Sequence, residues 1–323
     1  MKVYNWRLKT GISRTKEFER KGLATHAVNC GLKCGHGCKY CSTGAMLRTH
    51  KAFKELRLNP FDNSYAIVDY KTPHRVARDA RLKQKRGLIQ LCTIVDAWSP
   101  EAQQYDLGRK CLKVILKEQN WAVRILTKNS AIKKDFDLIE KYKDRVLVGL
   151  SITATFDKGD IIKVIEPNAS SIGERIEVLK EAKTRGFRTY SMFCPILPGI
   201  ADSPSQINEL IKLSVDIGAE EIFAEAVNPR GRGLILTQDA LKSQGYHLEA
   251  ARIESIRNRK NWSRYVTKLI KNIQKSVRQQ YDIRKLRFLL YPGGLEAQDI
   301  DRIKQDDAGV IWLGKNDKQR KGA

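Results

Sequence analysis

Six short apolar runs, separated by longer stretches of helical periodicity, dominate the first two thirds of the chain. They lie at 23–30, 87–95, 121–127, 145–152, 187–194 and 220–227. Helix-like stretches fall near 101–118, 131–143, 172–185 and 204–217, while 45–86 reads as mixed helix and loop. Ser171-x-x-Glu174 and the segment Asp202-Ser203-Pro204 mark two of the helix starts. Strands alternating with helices build βαβ units, and those units require a parallel sheet. Six units are too few to close an eight-stranded barrel, so the expected fold class is α/β, a partial (β/α)6 barrel. The expected organisation is an N-terminal extension at 1–22 lying over the surface, a barrel at 23–231, and a basic, α-rich C-terminal region at 232–323. That last region carries a helix at 237–244, a long basic helical stretch at 249–280 and strand-like runs at 286–292 and 308–314.

The site of a parallel barrel gathers at the C-terminal ends of its strands. The residues that follow each run are polar or sulfur-bearing. Clustered cysteines follow the first, Thr93 to Glu101 the second, Thr127-Lys128-Asn129 the third. Ser151 and Thr153 end the fourth, Cys194-Pro195 the fifth, and Asn228-Pro229 the sixth.

Four of the seven cysteines fall within twelve residues: Cys30, Cys34, Cys38 and Cys41. No run approaches the roughly 20 apolar residues of a membrane helix. The first residues lack the apolar core of a secretory signal, so a cytoplasmic, reducing location is expected. Cysteines there point to metal or catalytic chemistry before disulfides. In Cys34-x3-Cys38-x2-Cys41, three thiolates in a tight loop suit three irons of a cubane and leave the fourth iron open. Tyr40 adds an aromatic beside such a cluster, and Gly35 and Gly37 let the backbone bend around it. Two other readings stay open: a structural zinc site completed by Cys30 or His36, and a redox thiol pair, Cys38 and Cys41. Cys111, four residues from both Leu107 and Ile115, reads as a core residue.

The charge balance is strongly basic, with 60 Lys and Arg against 36 Asp and Glu, a formal +24. Residues 250–290 hold twelve basic and two acidic side chains, interleaved with Trp262, Tyr265 and Tyr281. Such a stripe suits a polyanion, with phosphates taking the charge and bases stacking on rings, or it is a solvated helix face.

Taken together, the motifs carry a resemblance. Cys34-x3-Cys38-x-Tyr40-Cys41 after a first strand resembles the radical S-adenosylmethionine (SAM) enzymes, in the spore photoproduct lyase and DNA-repair-photolyase-like branch. Thr127-Lys128 ends the third strand and Ser151 the fourth. The segment IEPNASSIGERI, with Glu166, Pro167 and Arg175, and then CPILPGIADS, continue the likeness. The resemblance implies a radical SAM barrel with a [4Fe-4S] cluster on Cys34, Cys38 and Cys41, and with SAM bound at the open iron. One electron, from a donor such as flavodoxin or ferredoxin, would cleave SAM to methionine and a 5′-deoxyadenosyl radical that takes a hydrogen atom from substrate. It implies further that Tyr40, Thr93, Lys128 and Ser151 line the SAM site, and that Cys92 stands where lyases keep a hydrogen-donating thiol. Ser42 departs from the lyase pattern, which has a second tyrosine there. The leading substrate expectation is DNA or RNA. The alternatives are radical modification of a peptide or protein, and a zinc-stabilised nucleic-acid-binding protein without catalysis.

Overall fold

The computed structural model describes residues 1–82, 86–229 and 231–314; the expected C-terminal region thus runs nine residues beyond them. Its centre is an arc of parallel strands: β1 (His26–Val28), β2 (Gly87–Leu91), β3 (Trp121–Thr127), β4 (Val146–Leu150), β5 (Ser191–Ile196) and β6 (Ile222–Ala226). The six expected strands are all present. The strand-like runs beyond 286 and 308 then join the same arc in parallel as β7 (Leu286–Leu290) and β8 (Val310–Trp312). The step from β4 to β5 is carried by a parallel bridge between Ser151 and Met192 and by Ile152 N donating to Met192 O at 3.0 Å.

Both faces of these strands are covered, which is why they read as near-continuous apolar runs. Outward-facing Ile89, Leu91, Val123, Ile125, Val146 and Val148 are buried under the helices. Inward-facing Leu147, Tyr190, Met192, Phe223, Leu289 and Leu313 fill the lumen. One charge sits among them. The Arg124 guanidinium lies 4.6 Å over the Tyr190 ring and 5.2 Å over Phe223, and donates to Glu221 at 2.7 Å.

Among the described residues no ladder joins β1 to β8, so the arc stays open on that side. The N-terminal segment occupies the gap rather than lying over the surface as expected. Helix α1 (Lys16–Arg20) and the turn after it bring Phe18 and Leu23 against the lumen cluster, and Tyr291, just past β7, donates to Glu17. Lys21 Nζ stands 5.4 Å from both the Phe18 and Tyr291 rings. Buried carboxylates pin the segment down. Asp79 accepts from Gly11 N and Ile12 N at 2.9 and 3.0 Å, and Asp69 from Leu8 N at 2.6 Å. Within 45–86 lies a strand that the mixed reading missed, Tyr65–Val68, which pairs with Lys2–Asn5 on one side and Gly31–Lys33 on the other.

Two of the crossover helices start where their caps predict, and a third opens without a side-chain cap bond. Helix α2 (Leu107–Leu116) packs Cys111 inward, as expected. Helices α3 (Ile172–Thr184) and α4 (Pro204–Asp216) each open on a full capping box, Ser171 with Glu174 and Ser203 with Gln206. The basic stretch at 249–280 is two helices, α5 (His247–Ser255) and α6 (Arg259–Gln280). The break falls at Asn258, whose extended backbone and side chain, accepting from Lys260 N and Asn261 N, begin a new helix. Helix α7 (Ala297–Lys304) follows β7. No helix among the described residues is long and apolar enough to cross a membrane.

Removing the Asn258 cap leaves two amides at the start of α6 without a partner. Asn258→Ala is expected to lower the unfolding free energy by about 1 kcal/mol, read from the urea midpoint at unchanged slope.

Candidate active site

The cysteine loop follows β1 and the short strand Gly31–Lys33, at the C-terminal ends of the barrel strands. Cys34 and Cys38 are half-buried and Cys41 is exposed, all three are free thiols, and all three line one recess with Lys33, Lys39 and Asn63. The loop has little apolar surface of its own and is held through its backbone. Gly35 N donates to both Glu101 carboxylate oxygens at 3.0 Å, and Asn168 Nδ2 donates to Gly35 O at 2.8 Å. Asn168 N reaches His36 O at 3.2 Å, and Lys39 N reaches Ile165 O at 2.9 Å. Gly37 turns the chain at φ 68°, a conformation that costs other residues energy.

His36, inside the loop, is buried between two acceptors. Its Nε2 stands 2.9 Å from Asp96 Oδ2 and its Nδ1 3.1 Å from Asn168 O. Both ring nitrogens therefore carry hydrogens. Burial alone would lower the His36 pKa, but the Asp96 carboxylate overrides it and holds the imidazolium above its ordinary value. Asp96 is itself a hub, accepting from Thr127 Oγ1 at 2.9 Å and from Lys128 N and Trp98 N at 2.8 Å.

A second buried carboxylate organises the far wall. Glu166 accepts from Thr153 Oγ1 at 2.9 Å, from the Tyr40 hydroxyl and from the Arg175 guanidinium. Lys128 Nζ stands 3.8 Å from it and 5.8 Å from the Tyr40 ring centroid. Burial would raise the Glu166 pKa, but Arg175 and then Lys128 outweigh it and hold it at about 2. Arg175 also donates to Ser151 O at 3.0 Å and Ser170 O at 2.8 Å, tying β4 to α3.

The thiols contrast with these anions. Burial, then the charge of Glu166, pushes Cys38 up to about 12, and burial also raises Cys34. Such thiols ionise only beside strong positive charge, which metal ions supply to cysteine ligands. Among the described residues no three His, Cys, Asp or Glu side chains converge on one point as a single ion would require. Three thiols spread around a shared recess instead suit a cluster whose thiolates bind separate irons.

Residues 28–230 match the family model of the radical SAM superfamily. The chain belongs to that superfamily. It is 27% identical over 215 residues to the uncharacterised protein ORF301 of Acidianus two-tailed virus, covering 64% of this chain and 69% of that protein. It is 30% identical over 186 residues to the uncharacterised protein MJ0683 of Methanocaldococcus jannaschii, covering 58% and 66%. Among solved structures it resembles a spore photoproduct lyase variant with bound AdoMet and dinucleoside spore photoproduct. There the TM-score is 0.58 at 12% identity, over 86% of this chain and 79% of that one. A spore photoproduct lyase complexed with dinucleoside spore photoproduct gives 0.55 at 13% identity, with the same coverage. At those identities the likeness is one of fold.

In this radical SAM barrel the expected site residues fall into two groups. Tyr40, Lys128 and Ser151 converge through Glu166 and Arg175 on one wall. Thr93 sits at the neighbouring strand end, its hydroxyl 2.9 Å from Asn29 Nδ2. Cys92 does not join them. Its sulfur lies 3.8 Å from that of Cys30, which is 3.9 Å from that of Cys111, so the three thiols fill the core under α2. The thiol of the fifth strand, Cys194, borders the lumen cluster instead, 3.4 Å from Glu225 Oε2. The zinc alternative loses both of its fourth ligands, since Cys30 is in that core and both nitrogens of His36 are engaged. Sequence reasoning missed Asp96, Glu101 and Asn168 as loop anchors. The available signal was limited to Asp96, five residues past β2, near a loop rich in unpaired backbone amides.

Glu166→Gln leaves Arg175 buried beside a neutral partner. The expected loss is about 3–5 kcal/mol of unfolding free energy at pH 7. Because the folded-state pKa is depressed, this stabilisation is complete above the ordinary glutamate value of 4.5 and is lost as pH falls toward about 2. Guanidinium unfolding at pH 7 and at pH 3 should therefore show the gap between wild type and variant narrowing at the lower pH.

Proposed function

We propose that this radical SAM enzyme holds a [4Fe-4S] cluster on Cys34, Cys38 and Cys41, binds SAM against Tyr40, Thr93, Lys128 and Ser151, and takes a hydrogen atom from a nucleic acid. The observation that carries the reading is the recess itself, with three free thiols lining one hollow at the strand ends of a barrel of this superfamily. When bound, the cluster and SAM supply a 5′-deoxyadenosyl radical by one-electron cleavage of the sulfonium.

The residues of the chain bind and orient. Lys128, shared between Glu166 and the Tyr40 ring and acting on Cys38 through its charge, keeps a cationic head for a carboxylate. Glu166 holds the Tyr40 hydroxyl, which fixes the ring next to Cys41. Thr93 and Ser151 offer hydroxyls at the ends of β2 and β4. The thiol of Cys92 is packed with Cys30 and Cys111 and takes no part in this proposal.

Two features support a nucleic-acid substrate: the +24 charge, and the lyase structures of the same fold, whose bound ligand is a dinucleoside photoproduct. An electron donor such as flavodoxin or ferredoxin and a cytoplasmic, reducing location fit the same chemistry.

The test begins with anaerobic reconstitution. About four irons per chain are expected, with slow release of 5′-deoxyadenosine from SAM after reduction. Cys34→Ala, Cys38→Ala and Cys41→Ala should each abolish that release. Lys128→Ala should keep its iron and weaken SAM binding by about tenfold, the effect of losing one charged hydrogen bond. Zinc in place of iron, with no cleavage, would sink the proposal.

A further inference from the structure

Helix α6 carries seven Lys or Arg and no Asp or Glu in twenty-two residues. Its inner face is apolar, with Trp262, Val266, Leu269, Ile270, Ile273 and Val277 buried. Its outer face is a row of exposed cations, Lys260, Arg264, Lys268, Lys271 and Lys275, each three or four residues from the next. The flanking arginines are paired, Arg259 with Glu296 at 2.9 Å and Arg278 with Asp306 at 2.7 Å. The five between them make no ion pair with a described carboxylate. Asp202 and Asp306 lie only in the longer-range fields of Lys268 and Lys271. Like charges at this spacing weaken a helix, and solubility alone is served by mixed signs. The row thus works against the stability of the helix that bears it.

Its direction is fixed by contacts at both ends. Near the start of α6, Tyr265 donates to Ile196 O at 3.1 Å, at the end of β5, and Arg259 donates to Leu295 O at 3.0 Å, past β7. Toward the other end, Gln274 donates to Asp306 O and Ala308 O at 2.9 and 3.0 Å, ahead of β8, and Tyr281 to Ala219 O at 2.9 Å, ahead of β6. The row therefore begins at the rim that carries the cysteine recess and runs down the outer wall. From Lys260 to Lys275 it spans roughly 22 Å at the helical rise.

We propose that this row is a docking track for a nucleic-acid backbone, which it leads over the rim toward the recess. With one phosphate per roughly 3.4 Å of rise along each strand, the row faces about six phosphates. The aromatics of the stripe are not placed for stacking. Trp262 is buried, while Tyr265 and Tyr281 are half-buried with their hydroxyls bonded inward. The track therefore reads charge and spacing and leaves bases unread, as phosphate contacts do. This inference rests on the nucleic-acid reading above and adds where and how the substrate is held.

The test uses the full, reconstituted chain and a fluorescent oligonucleotide of one sequence, as duplex and as single strand, in a salt series from about 50 to about 200 mM. Lys268→Gln/Lys271→Gln/Lys275→Gln removes three charges from the track. Lys110→Gln/Lys113→Gln/Lys117→Gln removes three exposed lysines from α2 and the cap that ends it, and serves as the equal-charge control. The track variant should bind at least tenfold more weakly and lose about 3 from the slope of log affinity against log salt. The control should shift that slope by less than about 1, and both variants should release 5′-deoxyadenosine like wild type. Either strand form responding in this way supports the track. Equal losses in the two variants, or wild-type binding of polyglutamate but of neither nucleic acid, would overturn it. A reconstituted enzyme that binds along the track yet turns over no nucleic acid would refute only the substrate reading.

Discussion

A loop that must present three thiols to one hollow cannot be held by apolar packing, because its few side chains are committed elsewhere. It is held by buried anions. The Asp96 carboxylate gathers His36 from the loop, the Thr127 hydroxyl and the Lys128 amide from the end of β3, and the Trp98 amide from its own segment. Glu101 takes the Gly35 amide on the other side. Inside a low-dielectric mouth each of these bonds is strong when made and expensive when missing. The loop, the third strand and the segment after the second are thus locked to one another.

The same logic explains why a chain with a formal +24 charge keeps three acidic groups at the mouth where little water reaches. Asp96, Glu101 and Glu166 are all buried, each within reach of several donors. At the mouth, Glu166 is flanked by Lys128 and Arg175. Burial raises the pKa of Cys34 and Cys38, which disfavours free thiolate chemistry in this recess.

Much of the architecture was legible because period and punctuation agree. The six apolar runs became β1 to β6, and the capping boxes of α3 and α4 stand where Ser171 and Ser203 announce them. The cysteine recess was legible from spacing, and the superfamily match covers the same stretch. What escaped was tertiary. The strand at Tyr65–Val68 is short, and nothing local separates it from loop. A cysteine at a strand end faces core or lumen according to helices packed from far along the chain, as Cys92 and Cys194 demonstrate. Asn258 breaks α5 from α6 inside a periodicity that runs through both. Anchors such as Glu101 and Asn168 act through backbone groups of the loop, which leave no pattern in sequence.

The opening between β1 and β8 has a bearing on how the molecule assembles. Phe18 and Leu23 join a cluster that includes Leu289 and Leu313, and the Glu17–Tyr291 bond spans 274 residues. Contacts so distant in sequence require loop-closure entropy to be met before they repay it, which slows folding. During synthesis, α1 gains its Tyr291 partner only once β7 has emerged. Asp69 and Asp79 tie down the segment before α1 long before that, so its seat against the barrel is completed in two stages.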